Sequence, residues 1–117
     1  MTKVLVDTNS LIYFFDNKTD LYSEFDKSFS DSFSFYIISP CVGELKKLGR
    51  NDVIKWLGLY RINVLRTENS GKVDDNILDT AKKENLAIIS SDRELLGRAK
   101  SAGIKVFKIG GRGVSTA

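Results

Sequence analysis

The sequence predicts one α/β domain built on a parallel β-sheet. The first observation is an alternation along the chain, in which short runs of apolar, β-branched residues are separated by stretches with apolar residues at helical spacing. The second is that none of the 117 residues forms a linker, an internal repeat or a low-complexity segment. Strands separated by helices join through right-handed crossovers, so neighbouring strands are expected to run parallel.

The predicted strands are short and rich in valine, isoleucine and phenylalanine, as is typical of strands buried on both faces. They cover Lys3–Asp7, Phe35–Ser39, Ile62–Leu65, Ala87–Ser90 and Ile104–Lys108. Pro40 follows the second run and is expected to end it, because proline lacks the N–H that a sheet ladder needs.

The predicted helices fill the intervals between these strands. They comprise a helix that begins at Leu11–Phe15, followed by Leu21–Phe29, Cys41–Leu48, Asp52–Tyr60, Val73–Glu84 and Asp92–Ser101. Gly103 lies just past the last helix, where a left-handed cap favours glycine. We expect a single domain over residues 1–109 and a flexible C-terminal tail over residues 110–117, because that tail opens with Gly110-Gly111-Arg112-Gly113.

The composition excludes several kinds of chemistry. The chain has no histidine and one cysteine, Cys41, so zinc loses its usual ligands and Ser-His-Asp or Cys-His catalysis loses its base. A disulfide within the chain is also excluded. Catalysis would have to rest on carboxylates, hydroxyls, lysine or arginine, and a metal ion would be a hard, oxygen-liganded one such as Mg²⁺ or Mn²⁺.

Net charge and hydropathy restrict the classes of molecule that the protein is expected to bind. The formal net charge is +3, and setting four clustered acids aside leaves 18 basic against 11 acidic residues, or +7, on the remaining surface. Such an excess attracts phosphates. No apolar stretch approaches the roughly 20 residues that span a bilayer, and no signal peptide is evident. We therefore expect a cytoplasmic protein with no membrane partner.

Two aspartates lie at the ends of predicted strands. Asp7 ends the first strand, where it is either a helix N-cap or a ligand; Thr8 and Asn9 are also good caps, so the cap does not require Asp7. Asp92 follows the fourth strand. Ser91 and Glu94 have capping-box spacing, which would leave Asp92 spare in the first turn or merely favourable to the helix dipole.

Two further acids lie on the apolar faces of predicted helices. Glu44 shares the face of Cys41 and Leu48, where an unpaired charge is costly, although a helical glutamate is more often an ordinary surface residue. Asp74 lines up with the apolar face of its helix, whereas Asp75 lines up with solvated positions. Both suit the helix dipole, and Asp74 is the better candidate for a functional acid.

These four acids would meet at one rim of the sheet, because ligands of parallel sheets bind beyond the carboxyl ends of the strands. Four converging anions repel one another unless cations balance them. One or two divalent ions would do so, and a pair of ions bridged by carboxylates suits hydrolysis of a phosphodiester.

Order and spacing of four segments resemble the PIN-domain nucleases over nearly the whole chain. The segments are VDTN at Val6–Asn9, P-x-V-x-E-L at Pro40–Leu45, DDNILDTA at Asp74–Ala81, and the stretch Ser90–Ile109, in which Ser90-Ser91-Asp92 replaces the family's Thr-Asn-Asp. The chain is most similar to the small prokaryotic and archaeal branch, which includes VapC-type toxins and relatives of ribosome-biogenesis endonucleases.

The resemblance implies a three-layer α/β/α sandwich with a five-stranded parallel sheet in the order 3-2-1-4-5. It also implies Mg²⁺- or Mn²⁺-dependent endonucleolytic cleavage of single-stranded RNA. The acidic site implied by the motif match consists of Asp7, Glu44, Asp74 and Asp92. Asn9 would support Asp7, and Ser90 would place a hydroxyl near the site. Possible contacts to the RNA backbone, although for any one of them ordinary surface charge is the commoner explanation, are Lys46, Lys47, Lys72, Arg93 and Arg98.

Partners implied by the resemblance are single-stranded or structured RNA, an antitoxin or a ribosome-assembly protein, and a second copy of the chain, for which Leu11–Phe15 is one candidate surface. The alternative hypothesis is a catalytically weak or inert RNA-binding or scaffold domain of the same fold, acting in rRNA processing or in a toxin–antitoxin complex. A receiver-like signalling domain is disfavoured, because Leu65-Arg66-Thr67-Glu68 offers no phosphoacceptor aspartate after the third strand.

Overall fold

The computed structural model describes residues 1–68, 71–110 and 113–117. The strands are β1 (Thr2–Val6), β2 (Phe33–Ile38), β3 (Ile62–Leu65), β4 (Ala87–Ser90), β5 (Val106–Gly110) and β6 (Gly113–Thr116). The helices are α1 (Thr8–Asp16), α2 (Leu21–Ser28), α3 (Ser39–Lys47), α4 (Asn51–Leu59), α5 (Val73–Glu84) and α6 (Arg93–Ser101). No helix of the described residues is long and apolar enough to cross a bilayer.

The six strands form one sheet in the order β3-β2-β1-β4-β5-β6. The pairs among β1 to β5 are parallel, in the predicted order 3-2-1-4-5. Val4, Leu5 and Val6 are fully buried although neighbouring side chains point to opposite faces. Both faces of β1 are therefore covered, as a parallel sheet between helices requires.

The predicted count of five strands is wrong, because β6 adds an antiparallel strand beside β5. The glycine-rich stretch for which the sequence predicts a flexible tail, 110–117, includes this strand; Gly111 and Arg112 lie outside the described residues. Burial of Val114 holds β6 in place. Gly113 has φ +104°, a conformation that L side chains rarely adopt, so glycine is favoured there.

A cluster of phenylalanine rings ties α2 to the sheet. The ring of Phe25 lies 4.7 Å from Phe33, 4.9 Å from Phe35 and 5.1 Å from Phe107, measured between centroids. These partners belong to β2 and β5, which are not neighbours in the sheet. The cluster therefore spans the strands between them and forms one side of the hydrophobic core.

The strand order also defines where a ligand would bind. The chain proceeds from β1 outward to β2 and β3, and then returns to β4 on the other side of β1. The reversal between β1 and β4 is the switch point of an open α/β sheet, and the crevice lies beyond the carboxyl ends of those strands. α3 begins at this same rim. Pro40 does not end β2 directly, as the sequence predicts, but lies in the first turn of α3, where its missing N–H leaves no bond unmade.

Candidate active site

Asp7 leaves the end of β1 and is the N-cap of α1. Its Oδ1 accepts a hydrogen bond from the Ser10 backbone N–H at 2.9 Å, and its Oδ2 accepts one from Ser90 Oγ at 2.6 Å. The residue is only 7% exposed. Because a carboxylate has about four lone-pair sites, both oxygens can still accept another ligand. Capping and ligand binding are therefore compatible roles for Asp7.

Ser90 joins the ends of the two central strands. Its fully buried hydroxyl donates to Asp7 and accepts from the Asp92 backbone N–H at 3.0 Å. Asp92, rather than the predicted Ser91, is the N-cap of α6, with Oδ1 accepting from the N–H groups of Glu94 and Leu95. The capping-box interpretation is therefore wrong. Asp92 Oδ2 accepts no hydrogen bond from the described residues and lies on an exposed side chain.

Glu44 projects from α3 and is held by a threonine of α1. Thr8 Oγ1 donates to Glu44 Oε1 at 2.5 Å, and this bond crosses from one helix to the other. Thr8 is buried, whereas Glu44 is half-buried. The sequence indicates Thr8 only as a possible cap, since nothing in it pairs this residue with a glutamate in another helix.

Asp74 lies in the first turn of α5 and is exposed. Its neighbour Asp75 instead forms an ion pair with Arg98. None of the four predicted acids forms a salt bridge with another described residue. Asp74 is therefore free to turn toward the crevice, while Asp75 is engaged elsewhere.

Burial and mutual repulsion act on these acids. Burial raises the pKa of Asp7, hydrogen bonds from Ser10 and Ser90 act against it, and the charge of Asp92 adds a smaller increase. Desolvation also raises the pKa of Asp74, and the negative charges of Asp92, Asp7 and Glu44 contribute to the increase. The electrostatic effects show that the carboxylates act on one another, as expected for groups at one rim.

Cys41 lies next to the acids but does not supply a thiolate. Burial raises the pKa of its thiol to about 12, and the charges of Glu44 and Asp7 add to this shift. The thiol therefore stays protonated at neutral pH and behaves as a small apolar side chain.

The remaining predicted residues lie around the rim or away from it. Asn9 is exposed and makes no hydrogen bond to Asp7, whose partners are Ser10 and Ser90 instead. Lys46 and Lys47 are exposed on α3, and Lys72 precedes α5. Two exposed arginines, Arg93 and Arg98, belong to α6.

The donor set fits a hard divalent cation in its chemistry: carboxylate oxygens at one rim with no cationic partner among the described residues. The acids are not gathered into a ready-made ligand group, however. Within residues 1–68, 71–110 and 113–117, no three acidic or cysteine side chains lie close enough to hold a metal ion as they stand. Binding would require rotation of side chains, which the exposed Asp74 and Asp92 can undergo.

In the metal-free protein, we expect the contribution of Asp7 to stability to decrease as the pH rises above 3.8, the ordinary pKa of aspartic acid. A raised pKa in the folded state means that the folded protein binds the Asp7 proton more tightly than the unfolded chain does. The stabilisation is complete below the pKa of Asp7 in the unfolded chain, and it is lost as the pH rises through the pKa of Asp7 in the folded protein. The measurement is the difference in melting temperature between Asp7→Asn and the wild type in the presence of a chelator. This difference, variant minus wild type, should increase from pH 3 to pH 7. A difference that is constant with pH would contradict this linkage.

Comparison with known proteins assigns the family. No protein-family model matches the chain. Ribonuclease VapC4 of Methanocaldococcus jannaschii is 27% identical in an alignment of 119 residues that covers 93% of this chain and 91% of that protein. Ribonuclease VapC9 of Archaeoglobus fulgidus is 33% identical over 111 residues, covering 87% of this chain and 78% of that protein.

Solved structures share the fold. The PIN domain endonuclease Utp24 superimposes with a TM-score of 0.84 at 20% identity, covering 97% of this chain and 90% of that one. A PilT N-terminus domain protein from Sulfolobus solfataricus has a TM-score of 0.61 at 14% identity, covering 92% and 87%. The sequence similarity to VapC9 and this shared architecture together show that the chain belongs to the VapC-like family of PIN-domain nucleases.

Proposed function

We propose that this nuclease is a divalent-metal-dependent endoribonuclease that hydrolyses phosphodiester bonds in single-stranded RNA. The observation that carries the proposal is that four carboxylates form no salt bridge with another described residue: Asp7, Glu44, Asp74 and Asp92. Asp7 and Asp92 follow the two strands at the switch point. The proposal that the substrate is RNA rests on the two similar proteins, both of which are ribonucleases by name.

The four carboxylates would have different roles. Asp7 is buried and fixed by two hydrogen bonds, so it would be the rigid ligand of the metal site. Ser90 positions Asp7 and the start of α6 together, and Thr8 positions Glu44. Asp74 and Asp92 are exposed and would complete the ligand set by rotating inward.

Mg²⁺ or Mn²⁺ is the cofactor that these oxygen donors favour. Such an ion would supply a water activated for attack on phosphorus and would stabilise the charge that develops on the phosphoryl oxygens. The protein's own part would be to present the acids to the ion and to align the RNA. The raised pKa values of Asp7 and Asp74 indicate that a bound cation would be favourable, because it would offset the cost of the buried and crowded charges.

Basic side chains near the rim would bind the RNA backbone. Lys47 and Glu44 line one open groove with Pro40 and Gly43, at the edge of the acidic site. Of the other exposed basic residues, Lys46 lies in the last turn of α3, Lys72 directly precedes α5 and Arg93 begins α6. Each contact of this kind would add a salt-dependent contribution to RNA affinity.

Membership of the VapC-like family also leads us to propose an antitoxin as a protein partner, as a toxin–antitoxin role would require. A homodimer and a role in ribosome assembly remain the other proposals for its partners. An antitoxin should inhibit cleavage at stoichiometric concentration, whereas a ribosome-assembly partner should direct cleavage to one site in precursor rRNA.

The catalytically inert alternative is favoured by one observation, the absence of a preassembled ligand group among the described residues. It would give a domain that binds RNA without cutting it. The two functions differ in their response to metal ions, so one assay separates them.

Removal of metal is expected to abolish cleavage. A 5′-labelled single-stranded RNA should be cut internally by the protein with Mn²⁺ or Mg²⁺, should stay intact in excess EDTA, and should be cut again when Mn²⁺ is restored. A saturating metal ion should also stabilise the fold, by about 2.7 kcal/mol at a hundred times its dissociation constant. RNA that binds but stays intact at saturating metal would establish the inert alternative.

A further inference from the structure

One ion pair joins α5 to α6 beside the acidic site. Arg98 Nη2 lies 2.6 Å from Asp75 Oδ1, and the two side chains are 45% and 48% exposed. Asp75 adjoins Asp74 in the first turn of α5, while Arg98 lies in the last turn of α6. Helical side chains lean toward the N-terminus of their helix, so Arg98 reaches back toward the rim where both helices begin.

The pair is a weak candidate for a stabilising contact. Exposed ion pairs contribute a median of about 0–1 kcal/mol to stability. The pair does fix a guanidinium group close to the acids, where its positive charge matters. Burial and the charge of Asp92 raise the pKa of Asp74, and the charge of Arg98 acts in the opposite direction.

The guanidinium group of Arg98 has N–H donors that its contact with Asp75 does not use. Its contact with Asp75 uses Nη2, while Nε and Nη1 have no hydrogen-bond partner among the described residues. Arginine presents five N–H donors in a rigid fork that matches a phosphate group with two parallel hydrogen bonds. One side of the fork is thus anchored, and the other side is available to an anion.

The surroundings of Arg98 leave room for a nucleic-acid backbone. Arg93, Glu94 and Arg98 line a shallow, open cleft of about 700 Å³ along α6, with Leu78 of α5 on the opposite side. Gly97 lies in the cleft, and a Cβ built there would meet no atom within 4 Å. The cleft is therefore uncrowded, carries two arginines against one glutamate, and lies along the helix that follows Asp92.

We propose that Asp75 orients Arg98 to bind a phosphate that flanks the cleaved bond, so that the RNA backbone leaves the acidic site along the α5–α6 cleft. The inference rests on the proposed ribonuclease function. In this assignment Arg98 is an RNA-binding residue and Asp75 is a positioning residue, although Asp75 adjoins a proposed metal ligand. The adjacent aspartates of α5 therefore have separate roles, one toward the cation and one toward the arginine.

The test measures RNA binding by fluorescence anisotropy, with a 5′-labelled single-stranded 12-mer and Mg²⁺ present. All proteins carry Asp7→Asn so that the RNA stays intact. Arg98→Met should weaken binding by about tenfold and lower the slope of log K against log salt by about 0.7, the contribution of one phosphate contact to a single strand. Arg98→Lys should keep the slope but weaken binding, because it keeps the charge and loses the fork.

Asp75→Asn should weaken binding without lowering the salt slope, because the arginine charge remains. Added to Arg98→Met, it should have no further effect, since its role acts through Arg98. Lys100→Met is the matched control; it removes an exposed charge from α6 outside the residues lining the cleft and should change binding less than twofold. Melting temperatures of all variants should stay close to that of the parent.

Unchanged binding and slope in Arg98→Met would overturn the proposal, as would equal losses in Arg98→Met and Lys100→Met. In the protein with its native Asp7, a second readout is the Mn²⁺ concentration needed for half-maximal cleavage. A large increase caused by Asp75→Asn would overturn the positioning role and make Asp75 a metal ligand. Absence of cleavage by the wild type would contradict the proposed function, while the binding measurements would still decide whether Arg98 holds RNA.

Discussion

Replacing Asp7 with asparagine is expected to reduce RNA cleavage by about a hundredfold or more while the protein stays folded. An asparagine at this position would keep the N-cap, because its amide oxygen can accept from the Ser10 N–H as the carboxylate does. It would remove the buried negative charge to which a cation would bind. Loss of about 3 kcal/mol of transition-state stabilisation corresponds to a hundredfold decrease in rate. The measurement is kcat/KM for a labelled single-stranded RNA with Mn²⁺.

Asp79→Asn is the matched control for this variant. Asp79 is an exposed aspartate of α5, one to two turns beyond Asp74, and makes no hydrogen bond or salt bridge with the described residues. The same neutralisation there should leave kcat/KM within about twofold of the wild type, since surface substitutions of this kind have small effects. Equal rates for Asp7→Asn and wild type, or equal losses in both variants, would contradict the assignment of Asp7.

The positions of Asp7 and Asp92 in the fold could be predicted because they follow from topology. Asp7 and Asp92 come just after buried strands, and strands of a parallel sheet bring their carboxyl ends to one edge. How those acids are held could not be predicted. The chain offers Thr8 and Asn9 after Asp7, and Ser91 before Asp92, and all of them are good caps. The last residue of each strand decides which one caps, and strand ends are not marked in the sequence.

Contacts between helices could not be predicted from the sequence, for a different reason. The bond from Thr8 to Glu44 and the ion pair between Asp75 and Arg98 each join separate helices, over separations of 36 and 23 residues. Periodicity predicts which face of a helix is buried, but it does not fix how two helices are rotated and shifted against each other. Helical phase already separates Asp75 from Asp74 in the sequence, but the pairing of Asp75 with Arg98 depends on that geometry and is seen only in the structure.

The sixth strand was missed because its sequence argues against it. Gly110 and Gly113 lower the expected β-propensity, and in isolation such a stretch predicts a tail. Pairing with β5 and burial of Val114 outweigh that propensity. The glycine that suggested flexibility is favoured for another reason, since Gly113 has a positive φ.

Phe25→Ala is expected to lower the free energy of unfolding by about 3–5 kcal/mol, the usual cost of truncating a buried phenylalanine. The side chain is fully buried, and its ring meets rings from β2 and β5. Its loss would leave a cavity between α2 and the sheet that rigid strands cannot fill. Urea unfolding gives the measurement, with Leu59→Ala as the control, because Leu59 is 77% exposed and should cost less than about 0.5 kcal/mol.

The Phe25 variant also tests whether the aromatic cluster acts as one unit across the sheet. Phe25 and Phe107 meet edge to face, with centroids 5.1 Å apart and an angle of 73° between the rings. Such pairs contribute about 0.5–1.5 kcal/mol beyond their buried area, so a double-mutant cycle with Phe107→Leu should show a coupling of that size. A loss below about 1 kcal/mol for Phe25→Ala would mean that α2 is dispensable to the core. A large loss with strong coupling would mean that α2 links β2 to β5, and thereby stabilises the strands between them, β1 and β4, from which Asp7 and Asp92 follow.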